Sequence, residues 1–246
     1  MITSVQNEKV KTWRKLHTKK ERTRRGIFLV EGFHLVEEAY KSDWEFVELI
    51  VVDHVHVPPI IEHVPTTYVS EQVFKHISKT KTPQGIAAVL KMKPPCVEVG
   101  NLVLLVDAIQ DPGNLGTIIR TADAAGFEAI ILGEGTVDLY NDKVIRATQG
   151  SLFHVPIFSA SLCEKMTELK ECGFNIWASA LTNSQPYVDV QPSERTALIV
   201  GNEANGISKQ HLKRADTIVK IPIYGQAESL NVSIAAGILM YYIKQT

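Results

Sequence analysis

The chain has 246 residues, of which 45% are hydrophobic, so it is long enough for one or two domains with packed cores. It lacks a run of about 18 apolar residues, and its N-terminus is polar and basic, so we expect neither a membrane span nor a secretory signal. The net charge of −1 hides an asymmetry, because residues 1–25 carry a net charge of +7 and the rest of the chain −8. We therefore expect a cytoplasmic protein whose basic N-terminal arm, interleaved with Trp13 and His17, contacts nucleic-acid phosphates.

The first 93 residues alternate helical and strand patterns, which predicts a small α/β domain. Pro58 and Pro59 interrupt the pattern, and Ser70 is placed to cap a helix. The predicted elements are a helix from Ser4 to about Lys20, a strand over Ile27–Val30, a helix over Gly32–Lys41, a strand over Phe46–Val52, a helix from Ser70 through Ile77 and a strand over Ile86–Leu90.

Paired prolines at Pro94 and Pro95, with lysines before them, predict an extended linker, so we divide the chain into domains 1–93 and 94–246. Leu102–Val106 is continuously apolar, as in a parallel strand covered on both faces. Strand and helix patterns then alternate, which predicts an open, mostly parallel α/β sheet. The further strands predicted are Ala129–Leu132, Val155–Phe158, Phe174–Ser179, Ala197–Val200 and Thr217–Ile221, and the helices are Leu115–Ala125, Asp142–Gln149, Leu162–Cys172 and Ser208–Arg214.

The last segment combines a polar cluster with an apolar helical pattern. Glu228, Ser229, Asn231 and Ser233 crowd one expected helix start, for which we predict Ser229 as the N-cap. The helix after it repeats apolar residues every three or four positions, which predicts a broad apolar stripe. A terminal helix docked on a core explains the stripe, but not four polar groups at one helix start, where free N–H groups are available to a ligand. The stripe consists of Leu230, Ile234, Ile238 and Tyr242, with Ala235, Leu239 and Ile243 beside them.

Three segments, Asp111–Ala122, Ile199–Ile207 and Ile221–Ser233, resemble motifs 1, 2 and 3 of the SpoU (TrmH-type) RNA methyltransferases of the SPOUT superfamily. The resemblance extends from about Leu102 to the end, in the order and spacing of the family. Residues 1–93 resemble the ribosomal-protein-L30e-like substrate-binding domain, through element order and Val30-Glu31-Gly32. The resemblance implies a C-terminal trefoil knot, a homodimer, and transfer of a methyl group from S-adenosylmethionine to a ribose 2′-hydroxyl of RNA. Ribosomal RNA of the 23S type is the expected substrate, and transfer RNA is the alternative.

The resemblance also implies roles for ten residues, which fall into two groups. The cofactor would be held largely through backbone contacts. An arginine, protonated at any working pH, would orient the RNA and stabilise a developing alkoxide, while amides and hydroxyls fix the ribose without adding charge. The implied catalytic residues are Asn114, Arg120, Glu203, Ser229 and Asn231, and the implied S-adenosylmethionine-binding residues are Ala180, Leu181, Gly201, Ile221 and Leu230.

Several structural explanations remain open for these residues. Asn114 follows a good turn sequence, Gly201 and Gly206 suit tight turns, and Glu203 could grip Arg120 or loop N–H groups instead of acting in catalysis. Arg120 could pair with Asp123 or Glu128, on or just after its own helix.

Two other functions compete with methyl transfer. A non-catalytic RNA-binding protein of the same fold is one alternative, although the motif residues are present. A nucleotide-dependent α/β enzyme lacks its glycine fingerprint, because Gly133-Glu134-Gly135 has no third glycine. We expect no metal, since the one close histidine pair, His54 and His56, lies in a predicted loop with no cysteine near it in the sequence. Three scattered cysteines, Cys96, Cys163 and Cys172, are expected to be buried and reduced.

Overall fold

The computed structural model describes residues 1–94 and 99–245; Pro95 of the expected linker and Cys96 lie outside the described residues. The described residues contain nine α-helices and eleven β-strands. The helices are α1 (Glu8–Lys15), α2 (Lys19–Arg25), α3 (Phe33–Lys41), α4 (Glu71–Ile77), α5 (Pro112–Ala124), α6 (Asp142–Thr148), α7 (Leu162–Glu171), α8 (Lys209–Leu212) and α9 (Val232–Gln245). The strands are β1 (Ile27–Glu31), β2 (Phe46–Val52), β3 (Thr66–Val69), β4 (Ile86–Lys91), β5 (Leu102–Asp107), β6 (Ala129–Leu132), β7 (Ile157–Ser159), β8 (Asn175–Ser179), β9 (Gln185–Pro186), β10 (Thr196–Gly201) and β11 (Thr217–Lys220).

The described residues divide into two compact units. The first unit contains 1–94 together with 138–153, and the second contains 99–137 and 154–245. The domain bounds 1–93 and 94–246 stay a prediction; the structure adds that the segment 138–153, with α6, packs with the first unit. None of the described helices is long and apolar enough to cross a lipid bilayer.

The first unit is built on a four-stranded sheet in the order β1-β4-β2-β3, in which only β2 and β3 run parallel. The sequence pattern did not predict β3, because this strand lies at the sheet edge, has four residues and buries only Val69. The helices α1 and α4 cover one face of the sheet, and Val10, Trp13 and Leu16 are buried there.

The basic N-terminal segment is therefore part of a folded core, not a separate arm. The single helix predicted from Ser4 to Lys20 is also wrong, because Asn7 caps α1 through the Lys9 N–H and the chain leaves the helix at Leu16. A second helix, α2, begins after Thr18.

The second unit is an open, fully parallel sheet in the order β7-β6-β5-β10-β8-β11-β9. Every residue of the central strands β5 and β10 is buried, as expected for a parallel sheet covered on both faces. The α/β class with a parallel sheet is confirmed. The trefoil knot stays a prediction, because strand order alone does not establish how the chain is threaded.

The starts of the two helices that border the site, α5 and α9, differ from prediction. The helix α5 begins at Pro112 instead of Leu115, because the Asp111 carboxylate accepts the Asn114 N–H at 2.8 Å and Pro112 needs no partner for its nitrogen. At α9 the predicted N-cap, Ser229, is wrong. The Asn231 side-chain oxygen accepts the Ser233 N–H at 2.9 Å, so Asn231 caps the helix.

The apolar face of α9 that packs into the core includes Leu239 and Ile243, which were predicted beside the stripe, but not its main row. The buried apolar residues of this helix are Ala236, Leu239, Met240 and Ile243. On the predicted stripe, by contrast, Ile234 is 55% exposed and Ile238 36% exposed. The helix is thus apolar on two faces, and only one of them is covered in a single chain.

The cysteines also differ from expectation. Cys163 is half-buried, and Cys172 is exposed, because it occupies the C-terminal cap position of α7 immediately before the turn at Gly173. The expectation of buried cysteines is therefore wrong for Cys172.

Candidate functional site

The second unit contains a cavity of about 600 Å³ next to the carboxyl ends of β8, β10 and β11. Ligands of open α/β sheets bind at this end of the strands, where the loops diverge. Three loops and the start of α9 form its walls, at 179–182, 200–207 and 220–231. All five predicted cofactor residues line it, namely Ala180, Leu181, Gly201, Ile221 and Leu230.

The loop after β10 is a tight hairpin, which explains its two glycines. Asn202 and Gly206 exchange backbone hydrogen bonds of 3.0 and 2.9 Å. A Cβ atom at Gly201 would lie 2.3 Å from the Gly206 carbonyl carbon, and Gly206 has a φ of +67°. The turn explanation therefore holds for both glycines, and Gly201 also contributes to the cavity wall.

A chain of side-chain hydrogen bonds joins all three motif segments beside the cavity. The Asn114 amide donates to the Glu203 carboxylate at 3.1 Å, and the Asn231 amide donates to the Asn114 side-chain oxygen at 3.0 Å. The Ser233 hydroxyl then donates to the Asn231 side-chain oxygen at 2.6 Å. Asn114 is thus held from both sides, by a carboxylate of motif 2 and an amide of motif 3.

The Glu203 carboxylate binds loop N–H groups, which was one of its two suggested structural roles. It accepts the backbone N–H groups of Gln110 and Asp111, at 3.3 and 3.2 Å, as well as the Asn114 amide. Burial alone would raise the pKa of Glu203, but these hydrogen bonds, first that of Asn114, outweigh it and lower the pKa below 4.5. The carboxylate therefore stays ionised at neutral pH and fixes the β5–α5 loop.

Arg120 and Ser229 stand apart from this chain of hydrogen bonds. Arg120 is exposed on α5, about 9 Å along the helix axis from Asn114, and does not line the cavity. It forms no hydrogen bond or ion pair with any described residue. The two suggested carboxylate partners are engaged elsewhere, Asp123 with His154 and Glu128 with the N–H groups of Asn101 and Leu102. Ser229 lines the cavity and is exposed.

Sequence reasoning missed a buried anchor behind the hairpin. The Asp107 carboxylate, at the end of β5, accepts the Ser208 N–H and bonds the His211 ring, each at 2.8 Å. Asp107 and His211 are both buried, and the Asn202 amide donates to the Ala108 carbonyl at 2.8 Å. A carboxylate that ends an otherwise apolar strand was the available signal. These contacts hold the hairpin on the β5–α5 loop.

The cavity fits the S-adenosylmethionine molecule that the resemblance implies. Its volume lies in the range of roughly 300–1,000 Å³ typical of small-ligand sites. Apolar side chains such as Leu181 and Ile221 suit the adenine ring, while hairpin backbone groups and Lys220 offer polar contacts to the amino acid moiety. Among the described residues, no group of three or more His, Cys, Asp or Glu side chains could hold a metal ion.

Comparisons with known proteins agree with this geometry. A family model described as the SpoU rRNA Methylase family matches residues 101–241, and one described as the MRM3-like substrate binding domain matches residues 7–88. The 23S rRNA (guanosine(2553)-2′-O)-methyltransferase RlmP of Bacillus subtilis is 49% identical over 99% of this chain and 98% of its own length.

Two solved structures are similar over nearly the whole chain. The AdoMet-bound rRNA methyltransferase from Sinorhizobium meliloti has a TM-score of 0.88 at 32% identity, covering 99% of this chain and 97% of that one. The SpoU methyltransferase AviRb from Streptomyces viridochromogenes, in complex with AdoMet, has a TM-score of 0.86 at 25% identity, and the match covers 98% of both chains.

Proposed function

The chain belongs to the SpoU rRNA methylase family, and we propose from this premise that it methylates a ribose 2′-hydroxyl in 23S rRNA, using S-adenosylmethionine. The nucleotide equivalent to guanosine 2553 is the proposed target, because RlmP carries that name and is 49% identical. The observation that carries the proposal is the Glu203–Asn114–Asn231 chain of hydrogen bonds at the cavity. It joins the three motif segments where a cofactor and a ribose would meet.

We assign nine of the ten site residues to two tasks, binding the cofactor and positioning the ribose. When bound, S-adenosylmethionine supplies an activated methyl group on its sulfonium, so the protein must align the acceptor and manage one proton. The loops with Ala180, Leu181, Gly201, Ile221 and Leu230 hold the cofactor. Asn114, Ser229 and Asn231 orient the ribose, while Glu203 holds Asn114 in place.

Arg120 completes the site from the RNA side. A guanidinium keeps its positive charge, so Arg120 is better suited to stabilise a developing oxyanion than to take up the hydroxyl proton. While the 2′-oxygen bonds to the methyl carbon, the bond from that carbon to sulfur would break and leave a neutral thioether. The hydroxyl proton would pass to water, and Arg120 would stabilise the negative charge that develops on the oxygen.

The experiment that tests the function maps 2′-O-methyl groups in rRNA and tRNA from cells with and without the gene. Loss of one mark in 23S rRNA, at the nucleotide equivalent to 2553, is expected. Loss of a mark in transfer RNA only would favour the alternative substrate, and no change in either RNA would favour a non-catalytic RNA-binding protein. Calorimetry of the purified protein with S-adenosylmethionine, with and without rRNA, tests the cofactor site separately.

We propose further that the chain acts as a C₂ homodimer. The exposed face of α9 presents Ile234, Ile238 and Tyr241, which are spaced to lie on one side of the helix and are 55%, 36% and 46% exposed. An apolar stripe of this kind on a monomer indicates a protein contact. Arg120 lies on α5, which packs against α9, and it reaches no motif 2 or motif 3 side chain of its own chain. A second chain would bring its arginine to this chain's cavity.

A mixing experiment tests the shared site. Arg120→Ala chains and Asn231→Ala chains are each expected to be inactive alone. After unfolding and refolding together in equal amounts, about a quarter of wild-type methylation should return, because half of the random dimers would be mixed and each would hold one intact site. Self-contained sites would restore nothing. A wild-type protein that sediments as a monomer at micromolar concentration and still methylates RNA would contradict the dimer.

We also propose that α1 and α2 contact RNA only through those cations that are not engaged within the first unit, which are fewer than the sequence suggested. Of the nine Lys and Arg side chains in 1–25, six form hydrogen bonds with side chains or backbone groups of the first unit. The other three, Lys15, Lys19 and Lys20, are exposed and form no such bond with a described residue.

Replacing Lys15, Lys19 and Lys20 by alanine is expected to reduce the slope of log affinity against log salt concentration by up to about two. Each contact with a single-stranded phosphate contributes roughly 0.7 to this slope. Deletion of residues 1–25 is not a usable test, because it would remove Val10, Trp13 and Leu16 from the core. S-adenosylmethionine binding should be unchanged in the variant. An unaltered salt slope would mean that the three lysines are only solvated.

The proposed substrate also implies action in the cytoplasm, which fractionation of the tagged protein with ribosomal subunits would test.

A further inference from the structure

The first unit contains a second cavity, of about 310 Å³, that the methyl-transfer site does not use. Its walls come from the start of α3, the loop 80–84 and the segment with α6. The residues that line it are polar or charged with the exception of Gly32 and Leu35, and they are Glu31, His34, Thr80, Thr82, Gln84, Arg146 and Gln149. We propose that this cavity binds one unpaired nucleotide of the RNA substrate, away from the methylated ribose. The inference rests on the proposed function and adds a recognition site to it.

The cavity is held open by specific contacts at α3. The Gln84 side-chain oxygen accepts the Phe33 N–H at 2.9 Å, which leaves the Gln84 amide group available as a donor. Gly32 has a φ of +103°, and a Cβ atom there would lie 2.9 Å from the same Gln84 oxygen. A side chain at position 32 would displace the Gln84 side chain toward the cavity, so the shape of this wall depends on the glycine.

The opposite wall comes from the segment that packs with this unit from the middle of the chain. The His34 Nε2 donates to the Gln149 carbonyl at 3.0 Å, so a neutral His34 ring keeps Nδ1 as an acceptor. Gln149 itself has a φ of +50°, an uncommon conformation for a non-glycine residue. One guanidinium nitrogen of Arg146 donates to the Asp142 carboxylate at 2.9 Å, and the other nitrogens of this group have no partner among the described residues.

The charge around the cavity favours a phosphate-bearing ligand. Along Ser78–Thr82, lysines and threonines alternate, and Thr80 and Thr82 line the cavity while Lys79 and Lys81 are exposed. Neither lysine forms an ion pair or hydrogen bond with a described residue. The one carboxylate in the wall, Glu31, accepts the Ser78 hydroxyl at 2.6 Å. The hydroxyl, amide, imidazole and guanidinium groups in the wall match the base edges and backbone of single-stranded RNA.

The chain offers a matched pair of arginines for the test. Arg146 and Arg25 each form an i,i+4 ion pair on a helix of the first unit, with 36% and 34% of the side chain exposed. Only Arg146 lines the cavity. Surface pairs of this type contribute little to stability, so both Arg146→Gln and Arg25→Gln should fold.

The expected result is a loss of about tenfold in affinity for an in vitro 23S rRNA transcript with Arg146→Gln, and less than about twofold with Arg25→Gln. Lys79→Ala with Lys81→Ala should lower the salt slope by about one. S-adenosylmethionine binding should be the same in all variants. Equal affinities of Arg146→Gln and Arg25→Gln would overturn the inference. Failure of the wild-type protein to methylate the transcript would instead count against the proposed function.

Discussion

Arg120→Ala is expected to lower kcat for RNA methylation by roughly a hundredfold to a thousandfold, the effect of removing one group that stabilises a developing oxyanion. The fold should survive, because Arg120 is exposed and forms no hydrogen bond or ion pair with a described residue. Single-turnover methylation of a 23S rRNA transcript at saturating S-adenosylmethionine measures the loss. The dissociation constant for S-adenosylmethionine should stay unchanged, since Arg120 does not line the cavity of its own chain and is assigned to the RNA side of the site.

Two further variants serve as comparisons for Arg120→Ala. Arg120→Lys keeps the positive charge but loses the planar fork, so partial activity would indicate that charge matters more than bidentate geometry. Lys213→Ala removes another exposed cation of the same unit that has no hydrogen bond or ion pair with a described residue, and it should be near wild type. Near-normal kcat in Arg120→Ala would exclude this residue from the reacting centre.

Glu203→Gln is expected to lower methylation by roughly tenfold to a hundredfold, through misplacement of Asn114. The Glu203 carboxylate meets three N–H donors and offers only acceptors. A glutamine would turn an amide NH₂ group toward at least one of those donors, so the β5–α5 loop must shift. The effect should appear mainly in kcat, and cofactor affinity should change less.

The Glu203→Gln variant should also change how the stability of the protein depends on pH. The pKa of Glu203 is lowered below 4.5 in the folded protein, so its stabilising contribution is present above the unfolded value and is lost as the pH falls through the folded pKa. The difference in melting temperature between wild type and Glu203→Gln should therefore be largest near neutral pH and shrink below about pH 4.5.

A matched control separates this effect from a general change in charge. Glu194→Gln removes an exposed carboxylate of the second unit that has no hydrogen bond or ion pair with a described residue, and it should show neither effect. A constant difference in melting temperature across the pH range would contradict the role of the Glu203 carboxylate.

Much of the second unit could be read from the sequence, because its signals are local. Leu102–Val106 is apolar without interruption, and β5 is buried along its whole length. The order and spacing of the three motif segments indicated the family and the methyl-transfer function before any contact was known. The five residues predicted to bind S-adenosylmethionine could also be grouped from the sequence, and all five line one cavity.

Helix boundaries and exposed faces could not be read in the same way. The apolar pattern of α9 fitted a helix docked on the core or on a second subunit, and only the structure shows that Leu239 packs inward while Ile234 and Ile238 are exposed. Periodicity locates an apolar face but does not say which neighbour covers it. The basic segment 1–25 looked like a free arm, and only the burial of Trp13 against the first sheet made it part of a core.

The sequence by itself determined the fold class, the family and the chemical types of the site residues, because these depend on local pattern and on residue identity. Only the tertiary structure decided which groups meet. Asn114 and Asn231 are separated by 117 positions, yet their side chains are bonded at 3.0 Å. The packing of 138–153 with the first unit likewise places Arg146 beside His34 at one cavity. Such contacts arise when loops from distant strand ends converge, and no short-range pattern in the chain encodes that convergence.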